Sequence, residues 1–122
     1  MAHILVVDDD ELARNTLMEM VRELGHEVEG VDGGDTAQQR YREEAFDLVV
    51  SDLIMPEPDG LATLRALRFF DPKVRVLAVS GGASSVDADP LLHAALKLGA
   101  RGVLSKPFDL EALEQGIDAA LS

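Results

Sequence analysis

Polar side chains that could bind a cation or a phosphoryl group follow four apolar segments of this 122-residue chain. In chain order, Ile4–Val7 ends in Asp8-Asp9, Leu48–Ser51 in Asp52, Leu77–Val79 in Ser80, and Val103–Ser105 in Lys106. Carboxylates are ligands for hard cations, a lysine offers a point charge to phosphoryl oxygens, and a serine hydroxyl can donate to them. A carboxylate can also act as the nucleophile. If they lie together, these groups suit phosphoryl transfer onto an aspartate.

The acidic residues need an explanation of their own, because neighbouring carboxylates repel one another. If Asp8, Asp9 and Asp52 meet in the fold, a divalent cation with oxygen ligands is the simplest way to relieve that repulsion. Mg²⁺ suits this set, since it is held by one or two carboxylates together with waters and a substrate phosphate. Asp10 and Glu11 stand where a helix begins, so we expect them to interact with its positive end instead.

The elements that position these residues are short apolar strands. The predicted strands are Ile4–Val7, Glu27–Val31, Asp47–Val50, Val74–Val79 and Gly102–Leu104, and the second of them is the weakest. All are rich in β-branched residues or bounded by turn signals, as strands are.

Between the strands, apolar residues recur at helical spacing. The residues that define the apolar faces are Leu12, Leu17, Met20, Val21 and Leu24, then Leu61, Leu64 and Leu67, then Leu91, Leu92, Ala95 and Leu98, and finally Leu110, Leu113, Ile117 and Leu121. We expect these leucine-rich faces to form the core. Gly25 and Gly99 are stop signals, and Asp109 is placed to cap the last helix. The helix between Asp35 and Glu44 has only Ala37 and Tyr41 on its apolar face.

Five strand–helix units predict an α/β fold whose parallel sheet is covered by helices on both faces. Right-handed crossovers and this chain length favour a flavodoxin-like, doubly wound, three-layer α/β/α sheet in the order 2-1-3-4-5. All carboxyl ends of the strands then share one edge. Because strands 1 and 3 flank the topological switch point, Asp8, Asp9 and Asp52 are expected to form one site.

Composition limits the partners. The net charge of -12, from 11 basic and 23 acidic residues, argues against nucleic acid or an anionic membrane as a direct partner. The absence of cysteine excludes disulfides and thiolate chemistry. No apolar stretch is as long as a membrane span, and the first residues lack the order of a signal peptide. We expect one cytoplasmic domain, residues 1–122, with no effector domain.

Four motifs carry a family resemblance. ILVVDDD, LVVSDLIMPEPDG, VLAVSG and GVLSKPF, in this order and at these separations, resemble the receiver domain of bacterial response regulators, of the stand-alone, CheY-like kind. The match runs from His3 to about Leu121. The resemblance implies a signalling switch rather than a metabolic enzyme, which helps to catalyse its own phosphorylation and slow dephosphorylation. The implied phosphodonor is a sensor histidine kinase or a histidine phosphotransfer protein.

The same resemblance assigns roles to the residues at the sheet edge. Asp52 would be the phosphoacceptor, Lys106 the lysine that pairs with the phosphoryl group, and Ser80 the switch residue that hydrogen-bonds it. Mg²⁺ would be held directly by Asp9 and Asp52, by Asp8 through water, and by the backbone carbonyl of Ile54. The output surface would be the helix 4–strand 5–helix 5 face, which binds a downstream protein. The Lys106–Pro107 peptide bond is often cis in this family.

Three features depart from the family pattern. Val103 stands where an aromatic residue usually swings inward on activation, so the change must be transmitted from Ser80 and its loop. Pro58 replaces an apolar residue and stiffens the turn before Asp59-Gly60. The segment Gly81–Asp89 is a few residues longer than usual, and we expect it to be mobile and to respond to phosphorylation.

Three alternatives remain open from the residues alone. A small haloacid-dehalogenase-like phosphatase would use Asp8 as nucleophile and Asp10 as acid/base, although Lys106-Pro107 stands where that family has a further acidic pair. An adaptor that keeps this fold but is never phosphorylated is a further alternative, although no acidic or lysine position is missing. A flavin site is disfavoured, since a turn of three aspartates would repel the flavin phosphate.

Overall fold

The computed structural model describes residues 1–81 and 89–122. The elements, in chain order, are β1 (His3–Val7), α1 (Glu11–Glu23), β2 (Glu27–Val31), α2 (Gly34–Glu43), β3 (Leu48–Asp52), α3 (Gly60–Phe70), β4 (Val76–Ser80), α4 (Pro90–Lys97), β5 (Gly102–Ser105) and α5 (Leu110–Leu121). All paired strands are parallel, in the order β2-β1-β3-β4-β5. The predicted flavodoxin-like fold is therefore confirmed.

The sheet separates two apolar cores, because alternate residues of each strand face opposite sides. One core joins the sheet to α2, α3 and α4 and contains Leu5, Val49 and Leu92. The other joins it to α1 and α5 and contains Val50 and Ile117. Burial of both faces explains why the strands are nearly continuous apolar runs.

Aspartates fix where four of the five helices begin. The caps and their backbone N–H donors are Asp10 with Leu12 at 3.0 Å, Asp59 with Ala62 at 2.9 Å, Asp89 with Leu91 at 2.9 Å, and Asp109 with Ala112 at 2.8 Å. Each carboxylate satisfies an N–H that has no partner within its helix. The N-cap role predicted for Asp109 is confirmed, and Asp10 lies at the start of α1 as expected. All four of these helix N-termini lie on the carboxyl side of the sheet.

The apolar pattern wrongly predicted that Leu12 is buried. It was assigned to the core face of α1, yet 75% of the residue is exposed. Leu17 and Val21 do bury that face. Since Leu12 lies in the first turn, it extends beyond the strand ends that cover Leu17, so periodicity alone placed it wrongly. Strand boundaries differ by one or two residues: β3 and β4 run on to include Asp52 and Ser80.

The thin apolar face of α2 is supplemented by polar contacts. Ala37 is buried, and the Tyr41 hydroxyl donates to Asp71 at 2.7 Å. Arg40 binds Glu29 of β2 and also pairs with Glu44 beyond the end of α2. These contacts tie α2 to β2 and to the loop after α3, which explains how a helix with so few apolar residues is held.

Several expectations concerned the loops. Gly25 and Gly99 have φ values of 89° and 104°, which confirms them as helix stop positions. The Lys106–Pro107 bond is cis, as the family resemblance implied, and so is Glu57–Pro58. Most of the segment Gly81–Asp89, for which mobility was expected, lies outside the described residues.

Within the described residues, none of the helices has the length and apolar character needed to cross a membrane.

Gly60 allows α3 to begin directly against β3. A Cβ at this position would lie 2.4 Å from the Leu53 Cα and 2.5 Å from the Asp52 carbonyl oxygen, both of which are backbone atoms. At Gly116, within α5, the nearest atoms to an added Cβ are side-chain carbons at 3.4 Å or more. The first site has no room for a methyl group, whereas the second does.

We predict that Gly60→Ala lowers the free energy of unfolding by about 1–3 kcal/mol, because backbone atoms must shift to admit the methyl group. The matched control, Gly116→Ala, should be neutral or stabilising by up to about 1 kcal/mol, since alanine favours a helix interior. Urea unfolding of both variants measures the two values. Equal stability of the two variants would contradict the close approach at Gly60.

Candidate functional site

The candidate site lies where β1 and β3 end side by side. Val7 pairs with Ser51 in the sheet, so Asp8 and Asp52 each follow one member of the same pair. Asp52 in turn pairs with Val79 of β4, which places Ser80 one residue further along the next strand. Lys106 follows Ser105 of β5, the partner of Ser80. The register thus places Asp8 and Asp52 at the same level of the sheet edge, Ser80 one residue further and Lys106 two residues further.

Three carboxylates meet at this edge. Asp8, Asp9 and Asp52 each offer one oxygen, and these oxygens all lie within 4.8 Å of one another. Asp8 is buried with 2% exposure, Asp52 is half-buried and Asp9 is exposed. The predicted proximity of the three residues is confirmed. Because exposure increases from Asp8 to Asp9, the cluster is open to solvent on the Asp9 side. Such a cluster of carboxylates could hold a hard divalent cation.

Lys106 supplies the positive charge of the site. Its Nζ donates to Asp52 Oδ2 at 3.2 Å and lies 3.6 Å from Asp8 Oδ2. Burial alone would lower the pKa of Lys106, but the attraction and hydrogen bonds of Asp52 and Asp8 outweigh it and raise the pKa. The ammonium group is therefore charged at neutral pH and is shared by two carboxylates.

The ionised form of the Asp8 carboxyl group is destabilised by its surroundings. Burial is the main cause that raises its pKa, and repulsion from Asp52 and Asp9 adds to it. The Asp10 N–H, which donates to Asp8 Oδ1 at 3.0 Å, and Lys106 act in the opposite direction. The net shift is upward, so the ionised carboxylate of Asp8 is destabilised where it lies. An added cation would remove this cost.

Both oxygens of Asp52 are engaged. Oδ1 accepts from the Ile54 N–H at 3.0 Å, and Oδ2 accepts from Lys106. Ile54 itself is 54% exposed, so its side chain leaves the site open to solvent. The contact orients the Asp52 carboxylate between the following loop and the lysine. Asp52 is thus accessible, fixed and next to a positive charge, as a nucleophilic carboxylate must be.

Ser80 is fully buried at the end of β4. Its backbone carbonyl accepts from the Lys106 N–H at 2.8 Å. Ser80 is therefore joined through its backbone to the residue that supplies the positive charge of the site.

An apolar groove leads away from the acidic edge. It has a volume of about 380 Å³, and Asp8 and Lys106 contribute to its lining. The lining also includes residues of α1 and of the loop after β5, among them Leu12, Leu17 and Phe108. The exposed position of Leu12 is explained here, since this side chain borders a groove rather than the core.

The sequence patterns did not single out three features of the site. Asp89, buried with 2% exposure, was overlooked although Asp followed by Pro90 is a recognisable helix start, with proline at the first helical position. The groove could not be seen from sequence, because Leu12 and Phe108 are separated by almost the whole chain. Arg14 was also missed, and its guanidinium donates to the Asp8 carbonyl at 2.9 Å.

The fold and the acidic edge define the class of protein, and comparison with known proteins agrees. Residues 4–118 match the response regulator receiver domain family. The chain is 39% identical to the transcriptional regulatory protein ZraR of Klebsiella oxytoca over 98% of its own length, but it spans only 26% of that protein. The chain therefore covers about a quarter of ZraR.

Other relatives correspond to the chain over their whole length. The response regulator receiver protein CpdR of Brucella abortus is 33% identical, with 99% of this chain and 98% of that protein aligned. The crystal structure of the response regulator TrrA from Thermotoga maritima, in complex with Mg²⁺-BeF, superposes with a TM-score of 0.84 at 26% identity, covering 99% of this chain and all of that one.

The chain belongs to the response regulator receiver domain family. Receiver domains of two-component systems are signalling switches phosphorylated on an aspartate, and they are not metabolic enzymes. The family assignment removes the phosphatase and flavin-binding alternatives. Asp10 also does not fit an acid/base role, because its carboxylate caps α1.

We predict that Asp8→Asn stabilises the metal-free protein at neutral pH. Because the folded-state pKa of Asp8 is raised, protonation stabilises the fold fully below about pH 3.8, and this contribution is lost as the pH rises through the folded-state pKa. Asparagine stays neutral, so the melting temperature at pH 7 in EDTA should rise by roughly 2–8 °C.

The neighbouring Asp9→Asn is the matched control, and it should have a smaller effect because Asp9 is exposed. Melting curves from pH 3 to pH 8 should also show a weaker pH dependence for Asp8→Asn than for the unaltered chain. A lower melting temperature of metal-free Asp8→Asn at pH 7 would contradict the electrostatic cost assigned to Asp8.

Proposed function

We propose that this chain is a phosphorylatable receiver in which Asp52 accepts a phosphoryl group from a phosphohistidine. The donor is a sensor histidine kinase or a histidine phosphotransfer protein. The observation that carries the proposal is a cluster of three carboxylates, two of which also contact Lys106, whose Nζ lies 3.2 Å from Asp52 Oδ2. Family membership makes phosphorylation of an aspartate the expected role, and Asp52 is the carboxylate that pairs with this lysine.

The reaction needs little from the protein beyond position and charge. An oxygen of Asp52 attacks the phosphorus, the bond between phosphorus and the donor imidazole nitrogen breaks, and its electron pair stays on the imidazole. Lys106 moves from Asp52 to the incoming phosphoryl oxygens and offsets their negative charge. Ser80 donates its hydroxyl to another of these oxygens. Attack of water later releases phosphate, so the domain also promotes its own slow dephosphorylation.

The donor set fits Mg²⁺. Asp9 and Asp52 would ligate it directly, Asp8 through a water molecule, and the Ile54 backbone carbonyl would complete the protein ligands. All are oxygen ligands, and the raised pKa of buried Asp8 indicates a place where added positive charge is favourable. When bound, the ion neutralises charge that develops on the phosphoryl group. The complex of TrrA with Mg²⁺-BeF supports this choice of cation.

The apolar groove is the surface we assign to the phosphodonor. It begins at Asp8 and Lys106 and continues along α1, where Leu12 is 75% exposed. A donor helix that lies along this groove would bring its histidine to the acidic edge, in the way an amphipathic helix occupies an apolar groove. The α4–β5–α5 face would then remain available to a downstream protein partner. A cytoplasmic location, where ATP-dependent kinases supply phosphoryl groups, is part of the same proposal.

We predict that Asp52→Asn abolishes phosphorylation. With radiolabelled acetyl phosphate and Mg²⁺, the unaltered chain should take up an acid-stable, base-labile label, and Asp52→Asn should take up less than about 1% of it, since no other carboxylate in residues 1–81 and 89–122 pairs with Lys106 as closely. Omission of Mg²⁺ should reduce the label at least 10-fold.

Asp8→Asn serves as the matched variant, since it removes an acidic charge but keeps the proposed acceptor. It should still be labelled, though more slowly. Stable labelling of Asp52→Asn together with loss of label in Asp8→Asn would show that the acceptor is Asp8. An unaltered chain that takes no label from acetyl phosphate or from phosphohistidine donors would indicate an adaptor that is never phosphorylated.

We predict that Leu12→Asp slows phosphorylation by a protein donor but not phosphorylation by acetyl phosphate. Transfer from a purified phosphorylated histidine phosphotransfer domain, chosen from a panel as the fastest donor to the unaltered chain, should slow at least about 10-fold because an apolar anchor is lost. Labelling by acetyl phosphate, which needs no docking surface, should be unchanged.

Phe69→Asp is the matched control. Phe69 is 92% exposed near the end of α3, roughly 15 Å along the helix from the Asp52 edge, so neither reaction should change. If Leu12→Asp and Phe69→Asp slow protein-dependent transfer equally, the groove is not the docking surface.

A further inference from the structure

Arg14, the fourth residue of α1, lies beside the acidic edge but does not bind a carboxylate there. Its guanidinium Nη1 donates to the backbone carbonyl of Asp8 at 2.9 Å, and the residue is half-buried. Within residues 1–81 and 89–122, no carboxylate oxygen forms a salt bridge with this guanidinium. In a chain with 23 acidic residues, an arginine directed at a backbone carbonyl is better explained by what that carbonyl positions than by charge pairing.

The stem of Arg14 lies against β2 at a position that has no side chain. A Cβ at Gly30 would lie 3.3 Å from Arg14 Cδ and 2.3 Å from Met18 Sδ. Gly30 pairs with Val6 of β1, two residues before Asp8. Arg14 and Met18 are neighbours on one face of α1, because they are four residues apart. The glycine therefore leaves the space in which both side chains lie, and this packing directs the guanidinium towards the end of β1.

The carbonyl that Arg14 binds belongs to the peptide group between Asp8 and Asp9. Asp8 is held at two further points, since its N–H donates to the Val31 carbonyl at 3.2 Å and its Oδ1 accepts from the Asp10 N–H at 3.0 Å. The Asp9 carboxylate, in contrast, accepts no hydrogen bond from residues 1–81 or 89–122. Because a peptide group is planar, its orientation limits the directions in which Asp9 can leave the strand. Arg14 is the side chain that restrains this peptide group.

We propose that Arg14 is a positioning residue of the acidic edge: it holds the peptide group between Asp8 and Asp9, so that both carboxylates face one cation together with the proposed phosphoacceptor. The inference rests on the proposed function, since it needs Mg²⁺ to bind at this edge. Lys106 occupies an oxygen of Asp52, whereas Arg14 takes no carboxylate oxygen. Arg14 thus restrains the metal ligands without competing with the metal.

The test is the Mg²⁺ affinity of Arg14→Met, measured by titration calorimetry on the whole chain. Methionine keeps an unbranched stem beside Gly30 but has no charge and no hydrogen-bond donor. Mg²⁺ affinity should fall about 5- to 30-fold, because loss of a group that orients a metal ligand weakens metal binding. Arg22→Met is the matched control. It removes the same charge from an exposed ion pair on the same helix, and Mg²⁺ affinity should stay within about 2-fold.

The direction of the change separates positioning from charge. Removal of a positive charge beside an acidic site should by itself strengthen Mg²⁺ binding, because less repulsion then acts on the cation. Weaker binding by Arg14→Met therefore cannot come from the lost charge. A merely structural role would lower the melting temperature of Arg14→Met in EDTA and leave the Mg²⁺ affinity of the folded protein unchanged.

A second measurement uses the unaltered chain in EDTA, so it does not depend on the folding of a variant. Rotation of the Arg14 guanidinium about its Cζ–Nη bonds can be followed by NMR of the side-chain protons. It should be slower than the same rotation in Arg42, which is exposed. Slow rotation is expected because the hydrogen bond to the Asp8 carbonyl must break before the group can turn.

The outcomes separate the two levels of the proposal. Unchanged or tighter Mg²⁺ binding by folded Arg14→Met, or an equal loss of affinity in Arg22→Met, would overturn the role of Arg14 and leave phosphorylation of Asp52 intact. Equal rotation rates of the Arg14 and Arg42 guanidinium groups would do the same. Failure of the unaltered chain to bind Mg²⁺ would instead overturn the metal site of the proposed function, and the inference with it.

Discussion

The repulsion among three carboxylates at one edge of the sheet is the constraint on which the site depends. Parallel pairing of β1 with β3 brings Asp8 and Asp52 together, and the fold offers one ammonium group, that of Lys106, to both. One positive charge cannot offset three negative ones, and burial together with repulsion from Asp52 and Asp9 raises the pKa of Asp8. Added positive charge is therefore favourable at this edge.

The helices support this edge through their orientation. In a doubly wound parallel sheet, helices begin on the side where the strands end, so α1, α3, α4 and α5 direct their positive N-termini towards the acidic groups. Each begins with an aspartate cap, which adds negative charge but satisfies backbone donors. Gly60 shows how tightly this arrangement is built, because even a methyl group there would collide with the backbone beside Asp52.

Two surfaces lie close to this edge. The groove beside α1 includes Asp8 and Lys106 in its lining, and the α4–β5–α5 face lies at the β5 edge of the sheet. In the proposed function, the phosphodonor binds along α1 and the downstream partner binds the α4–β5–α5 face.

The sequence by itself determined the class of fold and the members of the acidic site. Strand and helix periods, with polar residues at the strand ends, are local signals, and parallel topology then implies that Asp8, Asp9 and Asp52 converge. Tertiary structure decided what local signals cannot carry. It placed Leu12 beside a groove instead of in the core, and it buried Asp89 at the start of α4. Both outcomes depend on which distant segments cover a side chain, and burial, unlike periodicity, is a property of the packed molecule.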